Sequence, residues 1–432
     1  MFLLVGASTR SLAESAVYSG FAVMAIDYFG DADQRLLCPT IGLKTDLGLK
    51  PSVKRLLQIA GEVSDRELQP RTLEGVIYTS GPENHPEELQ LWEQRGLLVG
   101  NNTSTLRQVR DPWQLRRALR LIGALTPPFY AVEEWKPDWA AGGWIIKPIA
   151  GGGGHGIRPL ERDKKGALAQ LAALGDKSSF IIQKLVYGIP ASATFIADGR
   201  RSFLLGTSRQ LAGPAGRAAG PFTYAGNIVP LSLPANPGLA LETQLAMIAG
   251  HLTATFGLRG LNTLDFIVNR DGIWILEVNP RWSASVELIE KWRRELLFPL
   301  HLAVCGKNTG ESPEAGFNLP TRVIDNGSGR CFWGKAIVYA RLPLQIDPKE
   351  EIEHLYRQGL RDIPVPGTII DCGQPVCTVL ARAESDYSCW RELQVRAAWA
   401  RRVLGKTFPR NDHDLDHGPG YCQQLSLWGD GS

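Results

Sequence analysis

Short, nearly unbroken apolar runs alternate with helical stretches through the first hundred residues. Phe2-Leu3-Leu4-Val5 is continuously hydrophobic, as expected of a parallel strand covered on both faces. The tight polar turn Gly6-Ala7-Ser8-Thr9-Arg10 follows, and from Ser11 the apolar positions Leu12, Ala16 and Val17 adopt helical spacing. Phe21 to Ile26 predicts a second strand, ending at Asp27. Val76 to Tyr78 predicts another, which runs into the polar loop Thr79-Ser80-Gly81-Pro82-Glu83-Asn84-His85. Ligands of open α/β sheets bind at the carboxyl ends of such strands, so this loop is a weak candidate for substrate contact, and an ordinary solvent turn accounts for it equally well. The strand–helix–strand opening, with an acid after the second strand, has the outline of a dinucleotide site. It lacks the second and third glycines of that fingerprint, and NAD binding is not expected.

Further along, Leu106 to Leu121 is helical by pattern and carries Arg107, Arg110, Arg116, Arg117 and Arg120, most of them expected on a solvated face. Pro127 and Pro128 end it. Trp144 to Ile146 predicts a strand, and Phe180 to Leu185 another that frays into a linker at Gly188. Ser192 to Ile196 continues as a further strand. Gly260 to Val268 and Ile273 to Arg281 predict a hairpin about Asn269-Arg270-Asp271-Gly272, where Asp-Gly is a strong turn signal. Beyond it, Lys335 to Arg341 predicts a strand. Gly367 to Ala381 predicts a hairpin turning at Gly373–Pro375, and Tyr387 to Leu404 an amphipathic helix.

At 432 residues the chain is too long for one ordinary domain. Its 44% hydrophobic and 21% charged residues are those of a globular protein able to bury several cores. A net charge of +3 leaves no nucleic-acid footprint and no polybasic membrane patch. The 7 cysteines, odd in number and scattered, fit reduced thiols in a cytoplasmic protein. The start reads as a strand and not a signal peptide, and no apolar stretch is long enough to span a bilayer. Neither nucleic acid nor membrane is expected as a partner.

Two stretches carry chemistry. In the first, Lys147 and Pro148 end a strand and open into Gly151, Gly152, Gly153, Gly154 and Gly156. Lysine supplies a point charge, and glycines let backbone N–H groups approach phosphate oxygens. The spacing is neither a Walker A loop nor Gly-x-Gly-x-x-Gly, and taken alone the run reads more readily as a flexible loop. In the second, Asp265 and Glu277 lie inside the two apolar strands of the predicted hairpin. Such charges are costly unless paired or bound to metal, and side by side they would repel unless Mg2+ joined them. Asn279 falls on the same side as Glu277 by the strand period of two, and Arg281 could reach a phosphoryl oxygen. The bland alternative is a pair of surface acids on an edge hairpin. Cys372 and Cys377 have no second pair at zinc spacing and are expected to be core thiols. Asp412 to His417 has ligand-type residues but sits in a Gly/Pro-flanked stretch, expected to be solvated.

In that order, Lys147 with its glycines, the Gln183–Val186 linker, Asp265, and Glu277-Val-Asn279-Pro-Arg281 resemble an ATP-grasp enzyme over about residues 100–300. The resemblance implies an α/β fold of α+β subdomains. A Rossmann-like pre-ATP-grasp domain would span 1–105 and the ATP-grasp core 106–330, with a glycine-flap subdomain at about 125–205 and a metal-binding subdomain at about 206–330. A small β-rich domain would span 331–432. Lys147 would hold the α/β phosphates, and Gly151, Gly152, Gly153 and Gly154 would cover the β/γ phosphates. The backbone of Gln183, Lys184, Leu185 and Val186 would read adenine. Asp265, Glu277 and Asn279 would bind Mg2+, or Mn2+ in its place, and Arg281 would steady the transferring phosphoryl group. An arginine at 107 or 110 stands where the family often has another phosphate-binding lysine. The chain departs from the family at Lys184 and at Ala191, where an acid often follows the linker.

The activity implied is an ADP-forming C–N ligase that activates a small-molecule carboxylate as an acyl phosphate and couples it to an amine. Two alternatives are a bicarbonate-dependent carboxylase, since the carboxy-terminal part resembles that of biotin carboxylase, and a nucleotide-binding regulatory scaffold with a degenerate site. The chain is also similar to carboligases of one-carbon coenzyme pathways, of tetrahydromethanopterin or methanofuran type. A homodimer is expected. Glu287 and His155 lie near these motifs in sequence alone, and neither is assigned as the general base.

Overall fold

The structure, a computed structural model, describes residues 1–66, 73–212, 220–233, 238–307 and 331–407. Asp412 to His417 lie outside the described residues.

The amino-terminal segments form a five-stranded parallel sheet in the order Thr40–Gly42, Val23–Asp27, Phe2–Val5, Gly75–Tyr78, Leu98–Val99. Phe2, Leu3, Leu4 and Val5 are all buried, because helices cover both faces of a parallel sheet. The carboxyl ends of its strands feed three loops, near residues 6–10, 27–34 and 79–85. Asp27 does not await a ribose. Its carboxylate accepts from the N–H and hydroxyl of Thr9 and the N–H groups of Phe29 and Gly30, which ties two of these loops together.

The arginine-rich helix expected over 106–121 is two helices, Thr103–Val109 and Pro112–Leu121. Pro112 has no N–H to continue the first helix, and Asp111 caps the second by accepting from Trp113 and Gln114 N–H groups. The break turns Arg110 out of the solvated row. Arg107, Arg117 and Arg120 are exposed, as the pattern suggested.

A four-stranded sheet in the order Phe129–Ala131, Phe180–Lys184, Trp144–Pro148, Arg158–Pro159 carries the glycine run. Trp135, Trp144, Ile146, Leu171 and Ile182 make its own core.

The largest sheet has eight strands: Gly272–Asn279, Arg259–Asn269, Ile189–Asp198, Ser202–Ala212, Tyr224–Val229, Phe332–Tyr339, Pro375–Ala383 and Leu360–Arg361, in that order. It runs continuously from the middle of the chain into its last quarter, because Tyr224–Val229 pairs with Phe332–Tyr339. One face of its first half, with Ala191, Ala193, Phe195, Leu264 and Phe266, packs on Leu245, Ala249 and Leu252 of helix Gly238–Phe256. The opposite face is polar yet buried. Ser192 and Ser208 hydroxyls lie 2.7 Å apart, Thr194 and Ser285 3.1 Å, and Thr263 and Ser283 2.8 Å.

The hairpin expected about Gly373–Pro375 does not form. Ile369–Ile370 pairs with Leu344–Ile346 in a separate small sheet, while Pro375–Ala383 pairs with Phe332–Tyr339. Gln374 N–H donates to Asp371 O within the turn, but Ala340 N–H donates to Gln374 O and Gly373 N–H to Ala340 O, so the turn is also fastened to a third segment. Of the expected core thiols, Cys377 is buried, but Cys372 is exposed on that turn. No helix among the described residues is long and apolar enough to cross a membrane.

Candidate nucleotide and metal site

The hairpin predicted around Asp271-Gly272 forms, and its register decides the site. From Asn269–Gly272 the pairing runs in step through Phe266–Ile275 and then shifts, so that Asp265 pairs with Glu277. Leu276 is the extra residue of a bulge. Strand residues alternate between faces, and Ile273 and Ile275 face the apolar core. Without the bulge Glu277 would follow them into that core. With it, Glu277 joins Asp265 on the polar face while Val278 takes the core position.

Each acid has partners. Asp265 accepts from Gln210 Nε2 at 2.8 Å and Asn279 Nδ2 at 2.9 Å. Glu277 Oε2 lies 2.8 Å from Lys147 Nζ, which crosses from the four-stranded sheet. Burial, then the neighbouring Glu277 charge, pushes the Asp265 carboxyl up to about 7. Burial also works to raise Glu277, but the Lys147 ammonium and then the Arg110 guanidinium overcome it and hold Glu277 at about 2.

Arginines brace the cleft. Arg281 Nε donates to Glu83 at 2.6 Å, and its Nη2 donates to Asn279 Oδ1 at 3.1 Å. Glu83 belongs to the 79–85 loop, which thus reaches the site. Arg110 Nη2 donates to both Asn84 and Gly151 O, at 2.9 and 2.8 Å, and its Nη1 donates to Val278 O at 3.2 Å. One guanidinium therefore spans the loop, the glycine run and the hairpin.

The glycine run folds over this cleft. Gly153 and Gly154 adopt φ of 62° and 75°, and Tyr224 N–H donates to Gly153 O at 3.0 Å. A Cβ at Gly154 would stand 1.9 Å from Phe222 O, so only glycine allows this approach.

Beside Lys147 a cleft is walled by Leu115, Phe129, Pro148, Ile149, Ile181, Gln183, Ile275 and Leu276, with Arg110, Arg116 and Glu277 at its polar end. An apolar cleft with cations in its lining suits a purine with its phosphates. The linker contributes less than expected. Lys184 N–H donates to Pro128 O at 2.8 Å and Leu185 N–H to Gly143 O at 3.1 Å, so neither is left for a base edge. The Lys184 ammonium turns away, onto Gly142 O and the Trp144 ring. Val186 is partly exposed beyond it.

Lys147, Glu277, Asp265, Asn279 and Arg281 therefore converge, with Gly151 tied in through Arg110, while Gly154 packs on Phe222. Sequence reasoning missed Gln210; it offered the 79–85 loop for substrate contact but not Glu83 and Asn84 as the partners of Arg281 and Arg110. It offered Arg107 and Arg110 together, and Arg110 is the one at the cleft. The acid–base neighbours are elsewhere engaged. Glu287 is buried and pairs with Arg10 and Lys335, while His155 is exposed on the glycine run.

Residues 109–285 match the ATP-grasp domain family. The chain carries an ATP-grasp domain over that segment. Its fold agrees with that of solved ATP-grasp proteins along nearly its whole length. A 2-oxoglutarate carboxylase biotin carboxylase domain from Hydrogenobacter thermophilus, solved as a dimer with MgADP and bicarbonate, matches with a TM-score of 0.65 and 15% identity. That match covers 94% of this chain and 91% of the other. An L-amino acid ligase from Bacillus licheniformis matches with a TM-score of 0.63 and 14% identity, covering 94% and 99%. A curated relative, an uncharacterised protein of Methanocaldococcus jannaschii, is 22% identical over 398 residues, 88% of each chain.

The donor set fits magnesium. Asp265, Glu277 and Asn279 offer hard oxygen ligands on one face, and the raised Asp265 carboxyl marks a negative charge short of a cation. Manganese takes the same donor types.

Proposed function

We propose that the chain is an ATP-dependent, ADP-forming ligase that joins a small-molecule carboxylate to an amine. What supports this reading most is one convergence. Lys147 and Arg110 from the nucleotide side, and Arg281 and the acids of the hairpin from the other, meet at the mouth of a single apolar slot under a glycine flap.

The apolar slot takes adenine, and Lys147 and Arg110 take the phosphates. Asp265, Glu277 and Asn279 hold the metal, which when bound screens the phosphate charge. A substrate carboxylate then attacks the γ-phosphoryl group in line, and Arg281 steadies the charge that develops. ADP leaves as the acyl phosphate forms; the amine then attacks the acyl carbon, the C–O bond to phosphate breaks, and the amine's proton leaves with the departing phosphate, giving the amide and inorganic phosphate. This chemistry is positioning plus charge stabilisation, so it needs no nucleophilic serine or cysteine. The flap and the polar sheet face exclude water, which would otherwise hydrolyse the acyl phosphate.

A second reading, carboxylation through carboxyphosphate, is favoured by the likeness to the domain solved with bicarbonate. ADP and phosphate release with a panel of carboxylates and amines, against bicarbonate alone, tests both. Release that needs a carboxylate–amine pair supports the ligase. Release with bicarbonate alone overturns it in favour of the carboxylase, and nucleotide binding without release under any condition favours a regulatory scaffold. Biosynthesis of a one-carbon coenzyme of tetrahydromethanopterin or methanofuran type is part of the same proposal, as is a cytoplasmic homodimer.

A further inference from the structure

Pro280 stands between Asn279 and Arg281, and the peptide that follows it is held from both sides. Arg281 N–H turns back to donate to Asn279 O at 3.0 Å, closing a three-residue turn about Pro280. The Pro280 carbonyl accepts from Asn101 Nδ2 at 3.0 Å and from Tyr78 Oη at 3.2 Å.

Both donors are buried and fully engaged. Asn101 is 1% exposed and Tyr78 2%. They stand at the carboxyl ends of adjacent strands, Gly75–Tyr78 and Leu98–Val99. Asn101 uses every polar atom of its side chain. Its Oδ1 accepts from Arg259 N–H at 2.8 Å, which fixes the orientation of the amide, and its Nδ2 donates to Asn262 Oδ1 at 2.9 Å as well as to Pro280 O. The Tyr78 hydroxyl also lies 3.1 Å from Asn101 O, so its one proton serves both carbonyls. Burial, then the Glu83 charge, pushes the Tyr78 phenol well up, and it stays a donor.

A second grip lies two residues back, where Val278 O accepts from Arg110 Nη1 at 3.2 Å. Asn101 and Arg110 flank the short helix Thr103–Val109, so one piece of chain holds the carbonyls on both sides of Asn279. The sheet does not supply this hold. Asn279 pairs with Thr263 on the last rung of the ladder, and Pro280 beyond it has no N–H to give a neighbouring strand. The direction in which Asn279 and Arg281 leave the backbone is therefore set by side chains 179 and 202 residues away.

Building on the metal and nucleotide site of the ligase reading, we propose that Asn101 and Tyr78 are positioning residues, which grip Pro280 O and so aim Asn279 at the metal and Arg281 at the terminal phosphate. A freed carbonyl lets the 280–281 peptide rotate, and both flanking side chains swing with it. A displacement of about 1 Å is enough to lose most of the benefit of a preorganised contact.

The test is calorimetric titration of the full chain with ADP, once in EDTA and once in Mg2+. The ratio of the two affinities reads the metal ligands, because the apolar cleft serves the base in both. Tyr78→Phe removes one hydroxyl and keeps the ring, and Asn101→Ala removes the amide. Each should cut the gain from Mg2+ about threefold and the two together about tenfold, with affinity in EDTA held within about twofold. Thr105→Val is the control. Thr105 Oγ1 donates to Phe256 O at 2.8 Å, a buried link from the same short helix to a segment without metal ligands. It should lower Tm comparably and leave the Mg2+ gain intact. An undiminished gain in the double variant would overturn the proposal, and so would an equal loss in Thr105→Val, which would mark a general loosening. Should the double variant fail to fold, Tyr78→Phe decides alone, since it removes a single oxygen. A wild type whose ADP affinity ignores Mg2+ would sink the metal site and the proposal with it. Loss of the gain in the variants of a chain that releases ADP with no substrate pair would sink the ligase reading and leave the positioning role standing.

Discussion

Asp265 lies opposite Glu277 and not opposite Leu276, because the strand Gly272–Asn279 carries one residue too many at that point. That single bulge gives the site its two acids on one face. It follows that Glu277→Gln should lower ADP formation about 100- to 1,000-fold, the usual loss when one preorganised charge is removed from a phosphoryl-transfer site. Deleting Leu276 should cost far less, since Glu277 then follows Ile275 directly, still faces Asp265 in an unbulged register and stays on the polar face. Steady-state ADP release by both variants, with circular dichroism to confirm folding, checks this.

The same pair predicts a pH dependence. Asp265 rises from an ordinary 3.8 to about 7 in the fold. Between those values the folded chain keeps a proton that the unfolded chain has released, so without metal stability falls as pH rises and levels off above about 7. The span is at most about 4 kcal/mol, and Asp265→Asn should abolish it. Magnesium needs the ionised carboxylate, so its affinity should climb as pH passes about 7. Urea melts from pH 4 to 8, with and without Mg2+, measure both trends.

Gly154→Ala addresses the flap. The added methyl would meet Phe222 O, and the backbone there is left-handed, at a cost of about 1–2 kcal/mol. Thermal stability should fall by only a few degrees, as that cost implies, while the apparent KM for ATP rises about fivefold to thirtyfold. An unchanged KM would mean that the flap does not close on nucleotide.

Arg10→Gln strips the counter-charge from Glu287 and Asp362 at once. Breaking one partner out of a buried ion pair typically costs about 3–5 kcal/mol, and the urea midpoint should fall accordingly. Replacing Lys164, whose pair with Asp138 is exposed, should change it by less than about 1 kcal/mol.

Much of the site was legible because its residues are close in sequence and obey short periods. Trp144 to Lys147, the glycines after it, and Glu277-Val-Asn279-Pro-Arg281 each declare themselves locally. The Asp271-Gly272 turn was equally legible. The bulge was not, since nothing in Ile275-Leu276-Glu277 marks which residue will be skipped. Two-residue registers counted back from the turn would have paired Asp265 with Leu276. The hairpin expected at Gly373–Pro375 failed for a related reason: both segments are good strands, but their partners, Leu344–Ile346 and Phe332–Tyr339, lie elsewhere. Glu83 and Gln210 were illegible because their roles depend on contacts 198 and 55 residues away. A carboxylate or an amide in a loop or strand carries no local sign of its distant partner.

Arg10 and Asp362, 352 positions apart, share one hydrogen bond. During synthesis the first helix leaves the ribosome long before its last anion exists, so the amino-terminal segment must wait with a guanidinium destined for the interior still bathed in water. The opening fifth of the chain can take its shape early, but it cannot reach its final protonation and solvation until nearly the whole polypeptide has emerged. Severing the chain into separately produced halves would strand that charge, which makes this protein a poor candidate for dissection and a good one for following late events in assembly.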